Sequence, residues 1–392
     1  MTTRRAVLGA VACLLAAALS LSAAAQDLIV AKRGFTIDRY TARNGGVVPD
    51  LRIGFQTAGT LNAAGDNAVL VTHFFSANSH AFGRYAPGGP VGYWDAIIGP
   101  GKPIDTDRYF VVSADTPVNL NTGDPNTLTT GPATVNPATG RPWGLAFPVM
   151  SIRDFVETQK ALLDSLGVKK LALVAGASMG ALQAIEWAVA YPEMVTRVMP
   201  VIGTGEMDAW VSGWLNIWAS PILLDPNWRG GDYYGETPPS AGLAEALKIV
   251  TLQARDAPSV AQFSGKPAEG RNPAQGIDQR FAIEKWLDDA AAARARVSDA
   301  NHFLYLVRAN QLFLNEYPSS EAALARAQAS WLVVPSLGDH VFPIAMNRAL
   351  EERLRKLGKQ VTVADLSGGL GHLEGVVSVA KISDQLRALL AN

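Results

Sequence analysis

A chain of 392 residues with 34 basic and 35 acidic side chains carries a formal net charge of −1, so it offers no electrostatic attraction to nucleic acid. Hydrophobic residues make up 48% of it, enough for a sizeable core, and a single cysteine excludes an internal disulfide framework or a thiolate metal site.

The first 25 residues read as an export signal rather than as part of the fold. Arg4 and Arg5 precede an apolar run that begins at Ala6, and Ala23-Ala24-Ala25 supplies the small residues of a cleavage site. The arginine pair resembles a twin-arginine signal with Val7 where an aromatic is usual, and an ordinary secretory signal is the alternative. Either route places the processed chain in the periplasm or outside the cell, with no membrane span left after cleavage. Removing 25 of the 392 residues leaves 367 and takes Cys13 away.

Beyond that segment, β-branched apolar runs alternate with helical spacing, the pattern of a mostly parallel sheet flanked by helices. Strands are predicted at 68–74, 109–113, 171–175, 198–202, 331–335 and 361–365, and helices at 151–166, 179–191, 343–357 and 374–390. Residues 115–148, rich in Asn, Thr, Pro and Gly, read as a long loop, which in a compact domain is usually functional or mobile. Strand signals vanish between Gly203 and Arg326. The expected organisation is an α/β core over 26–204 and 327–392, interrupted by a helical cap over 205–326.

"VAGASMG" places Ser178 between a buried strand and a helix. The pattern G-x-S-x-G alone is weak, being expected roughly 0.2 times by chance in a chain with 36 glycines. Its setting is that of a nucleophile elbow, with Gly176 and Gly180 making room and the Met179 amide set to receive an oxyanion. A nucleophilic serine needs a base and an orienting acid. His372, in the glycine-rich loop "SGGLGH" after the last predicted strand, is the candidate base among His73, His80, His302, His340 and His372. Asp339 in "PSLGDH" is the candidate acid and Asp365 the reserve. The order Ser, acid, His is that of α/β-hydrolases, which also predicts a second oxyanion amide, here that of Phe75 in "THFFSANSH". Trp210, Trp214 and Trp218 recur every four residues, either as packing or as an apolar lid over the substrate. Nothing in the pattern calls for a metal or an organic cofactor.

Several long segments in order, among them "GYWDAIIGPGKPIDTDRYFVVSAD", "GASMGALQAIEWAVAYPEMV" and "DANHFLYLVRANQLF", resemble the homoserine O-acetyltransferase family of α/β-hydrolases. The resemblance implies an α/β-hydrolase fold with a helical cap, an acyl-enzyme on Ser178, a triad completed by Asp339 and His372, and often a homodimer. It also exposes a departure: where family members hold the amino-acid substrate with an arginine and, seven residues on, a tyrosine, this chain has Leu247 and Ala254. Leu247 then joins the three tryptophans as a candidate pocket or lid residue. Loss of the guanidinium fork and export from the cytoplasm both favour a carboxylesterase acting on short-chain, acetyl-type esters. Alternatives are an O-acyltransferase with another acceptor and a non-catalytic binding module of the same fold.

Overall fold

The computed structural model of the protein describes residues 27–391; the proposed export signal lies outside the described residues. Eight strands form one sheet: β1 (Arg33–Thr41), β2 (Val47–Ala58), β3 (Ala68–Thr72), β4 (Phe110–Ala114), β5 (Leu171–Ala177), β6 (Arg197–Val201), β7 (Ser330–Val333) and β8 (Val361–Val363). Their spatial order is β1-β2-β4-β3-β5-β6-β7-β8. The six from β4 to β8 in that order run parallel, and β1 and β2 are antiparallel additions at one edge.

All six predicted strands are present. Pleating sends their alternate residues into two cores: Leu70, Val112, Val174 and Trp331 face one, while Val69, Val111, Leu173 and Leu332 face the other. β1 and β2 gave no clear signal because β1 is largely exposed and β2 contains Pro49 and Asp50, the latter at a positive φ of 49°.

Helices α1 (Ile152–Ser165) and α2 (Met179–Ala190) lie within the predicted ranges. Ser151 starts α1 through a capping box with Asp154. Between β6 and β7 the chain is predominantly helical, with α3 (Ala209–Leu224), α4 (Ser240–Gln253), α5 (Ala282–Ala295) and α6 (Ala300–Gln311) as its longest elements. After β7 comes α7 (Ile344–Lys356), also as predicted. The helix expected over 374–390 is instead broken into Glu374–Val377, a short 3-10 turn and Ser383–Ala391. Ser378 leaves helical geometry there, in a stretch where β-branched valines favour helix little. No described helix is long and apolar enough to cross a membrane.

The predicted loop 115–148 carries only a two-residue hairpin pairing, Val135–Asn136 with Arg141–Pro142, and one 3-10 turn. Its first residues are buried rather than loose. Asp115 accepts from the Ser79 and Leu128 amides and pairs with Lys32 at 2.6 Å, fixing this loop to the one after β3.

Candidate active site

Four sheet segments end at one place, the carboxyl edge where open α/β sheets bind ligands. Ser178 follows β5 directly and takes φ 57° and ψ −121°, a conformation unfavourable for any residue with a Cβ. Surrounding constraints hold it there. Its amide donates to Val201 O at 2.9 Å, and the Thr72 hydroxyl donates to Gly180 O at 2.7 Å. A Cβ on Gly180 would stand 2.2 Å from Thr72 O, and one on Gly176 2.1 Å from Thr72 Oγ1. Glycine is therefore required on both sides of Ser178 because β3, β5 and α2 approach so closely.

The strained turn delivers the Ser178 hydroxyl to His372. Oγ lies 2.8 Å from His372 Nε2, and His372 Nδ1 lies 2.7 Å from Asp339 Oδ2. The carboxylate can only accept, so Nδ1 carries the proton and Nε2 is left to receive one from Ser178. Asp339 Oδ1 is itself occupied, accepting from the Val341 and Phe342 amides at 2.8 and 2.9 Å. Ser336 Oγ donates to Gly371 O at 2.7 Å and so ties the acid's loop to the histidine's. Asp365 is elsewhere, paired with Arg348 at 2.6 Å.

Phe75 and Met179 flank Ser178 in one small cavity, and neither backbone N–H donates to an acceptor among the described residues. Two free amides beside a serine hydroxyl are the arrangement that can receive a developing oxyanion. His73 and Gln183 hold the loop that carries Phe75. His73 donates from Nδ1 to Phe74 O at 2.9 Å and accepts at Nε2 from the Thr116 amide at 3.2 Å, so it is neutral. Its burial lowers its pKa and keeps it neutral. Gln183 of α2 donates to His73 O at 3.1 Å, linking this loop to the helix that carries Met179. The sequence favours a structural hydrogen-bonding part for His73 over a catalytic one, but carries no signal for Gln183 in that clamp.

His302 is also buried, bonded through Nδ1 to Asn119 O at 2.7 Å, and His80 stacks on Tyr85; neither approaches Ser178 closely enough to bond it. His340 is exposed beside Asp256.

The tryptophan stripe divides along its length. Trp218 is 5% exposed, meets Phe75 edge-to-face at 5.7 Å and donates Nε1 to Gln253 Oε1. Trp214 lines both the small cavity at Ser178 and a wide apolar cleft of about 650 Å³. Trp210, 58% exposed, stands in that cleft. One stripe thus contributes packing at one end and an open apolar wall at the other. Leu247 does neither: it is fully buried among the helices of this region and lines none of the cavities at Ser178, because its helix turns that face towards its neighbours. Ala254 does line a cavity reaching Ser178.

The α/β-hydrolase-fold family model matches residues 87–376. A homoserine O-acetyltransferase from Solidesulfovibrio magneticus is 36% identical over 92% of both chains. The chain belongs to the homoserine O-acetyltransferase family of α/β-hydrolases. Among solved structures, esterase E22 is 44% identical, with a TM-score of 0.89 over 92% of this chain and all of that one. A homoserine O-acetyltransferase from Bacillus anthracis is 32% identical, with a TM-score of 0.89 over 93% of this chain and 98% of its own. This family member is thus similar over nearly its whole described length both to an esterase and to acyltransferases.

Proposed function

We propose that the chain is an exported serine carboxylesterase that hydrolyses short-chain, acetyl-type esters. Ser178 attacks the ester carbonyl while His372 Nε2 takes its proton, and the amides of Phe75 and Met179 hold the oxyanion. His372 returns the proton to the leaving alcohol, then removes one from the water that splits the acyl-enzyme. Asp339 keeps the proton-bearing Nδ1 in place and stabilises the imidazolium. The observation that carries the reading is His372 bridging Ser178 and Asp339 at 2.8 and 2.7 Å.

Three observations favour water and small acyl groups. The cavity beside Ser178, walled by Met179, Leu215, Trp218 and Phe342, encloses only about 20 Å³, room for one methyl-sized group. By the sequence resemblance alone, Leu247 and Ala254 fall where family acyltransferases carry an arginine and a tyrosine. The sequence identity to esterase E22, 44%, is also higher than the 32% to the Bacillus anthracis enzyme, at the same TM-score.

The second reading is transfer to an acceptor other than homoserine, favoured by the acyltransferase relatives. Incubation of purified protein with p-nitrophenyl acetate, with and without an alcohol or amine, separates the two. Nitrophenol release with acetate as the only acyl product supports hydrolysis, and a transfer product supports the second reading. No acyl-serine and no release would leave a binding role. Cell fractionation with the native first 25 residues tests export, expected to put the protein outside the cytoplasm.

A further inference from the structure

A second cavity, its wall largely apolar and sharing Arg255 with the wide cleft, opens from Ser178 and His372. It has a volume of about 230 Å³, and its wall includes Arg255, Arg294 and Thr251. Arg294 donates Nη1 to Thr251 Oγ1 at 2.7 Å, and Arg255 lies over the Trp286 ring at 4.7 Å. Neither has a carboxylate within ion-pairing distance among the described residues. The neighbouring acids are engaged elsewhere: Asp288 with Lys248 and Arg280, Asp256 with His340. Burial and the like charge of Arg255 push the Arg294 guanidinium down to about 10, with no acid acting in the other direction. Desolvated cations without a counter-charge are costly unless a ligand supplies it.

We propose that Arg294 and Arg255 form an anion subsite that selects esters whose alcohol portion carries a carboxylate, that is, O-acetylated hydroxy acids. This rests on the hydrolase reading above. The methyl-sized cavity at Ser178 takes the acetyl group, so the arginine arm is left for the leaving alcohol. Among the described residues no acidic side chain lines the arm to receive an ammonium group, so the favoured alcohol is a hydroxy acid rather than an amino acid. Arg294 lies on α5, a different helix from Leu247 on α4, and it bonds through a planar fork suited to a carboxylate.

The test compares kcat/KM of the wild-type protein for 4-acetoxybenzoate and for its methyl ester. The expected preference for the acid is roughly tenfold or more, the contribution of charge-assisted hydrogen bonds, and it collapses towards unity in Arg294→Met. Because a ratio is read, a general loss of activity in the variant does not imitate the result. Equal rates for acid and methyl ester, or a preference unchanged in Arg294→Met, would overturn the proposal. So would a stronger preference for the p-nitrophenyl hemiester of succinate over p-nitrophenyl acetate, which would move the anion to the acyl side. A second measurement uses wild type alone: 4-hydroxybenzoate binds at least about tenfold tighter than methyl 4-hydroxybenzoate by calorimetry. If no ester is hydrolysed but that difference stands, the hydrolase reading has failed and the anion site has not; hydrolysis without the difference is the converse.

Discussion

Asp339 spends both carboxylate oxygens: one accepts from His372 Nδ1 at 2.7 Å, the other from the amides of Val341 and Phe342. An orienting acid fixed at both ends cannot rotate to release the imidazole. Asp339→Asn would present an amide nitrogen or a neutral oxygen to Nδ1 and remove the stabilisation of the imidazolium. A fall in kcat of roughly 10⁴ is expected with the unfolding midpoint little changed, measured by p-nitrophenyl acetate turnover and urea denaturation on the same preparation.

Two glycines separate crowding from conformational freedom. Gly180→Ala would set a methyl 2.2 Å from Thr72 O, on backbone that cannot give without moving β3, whereas a Cβ on Gly213 in α3 meets nothing within 4 Å. The first change is expected to cost about 3 kcal/mol or more, and the second to stabilise by about 0.5 to 1 kcal/mol. Thermal unfolding of the two variants should move in opposite directions.

Among the described residues, Lys32 is the only cation paired with the fully buried Asp115, which braces the loops holding Phe75 and residues 115–130. Lys32→Met leaves that carboxylate buried and uncompensated. A loss of about 3 to 5 kcal/mol in unfolding free energy is expected. A loss below 1 kcal/mol would mean that the Ser79 and Leu128 amides suffice for it.

Glu186 on α2 is buried beside Arg153, 2.8 Å away, and desolvation pushes its carboxyl up to about 7 against that cation's pull. Between the ordinary glutamate value of 4.5 and about 7 the folded protein holds a proton that the unfolded chain has released. Stability contributed by this group is therefore full at low pH and falls as pH rises through that window, by of the order of 3 kcal/mol. Urea titrations at pH 5 and pH 8 should show a decline in the wild type that shrinks in Glu186→Gln; an equal decline in both would refute the assignment.

The small cavity at Ser178 predicts acyl-length selection. Acetate esters of p-nitrophenol should exceed butyrate esters in kcat/KM by roughly tenfold, since extra methylenes must displace packed side chains. Leu215→Ala opens the wall and should narrow that ratio, read on one preparation with both esters.

Much of this was legible from local pattern. The central strands read as uninterrupted apolar runs because both faces are buried, and Ser178 could be placed because a strand, three small residues and a helix leave one turn geometry. Asp339 and His372 followed from chain order and from glycines beside them. β1 was not legible, since an edge exposed to water tolerates Asp and Arg, and β2, though largely buried, was masked by Pro49 and Asp50 near its start. The break near Ser378 depends on how the segment packs back on the sheet. The divided tryptophan stripe and the burial of Leu247 were hidden for a related reason: helical spacing tells which residues share a face, not what that face meets. Arg294 had no motif, and its proposed role arises from the lack of an ion-pairing acid among the described residues, which only tertiary structure shows.

The measurement that bears most directly on the account is rapid quench of the protein with p-nitrophenyl acetate, followed by peptide mass spectrometry with and without homoserine. The account predicts an acetyl group on the peptide bearing Ser178, absent in Ser178→Ala, whose decay matches acetate release and is unchanged by homoserine. Acetylation at another residue, or a decay accelerated by homoserine with acetylhomoserine formed, would contradict it.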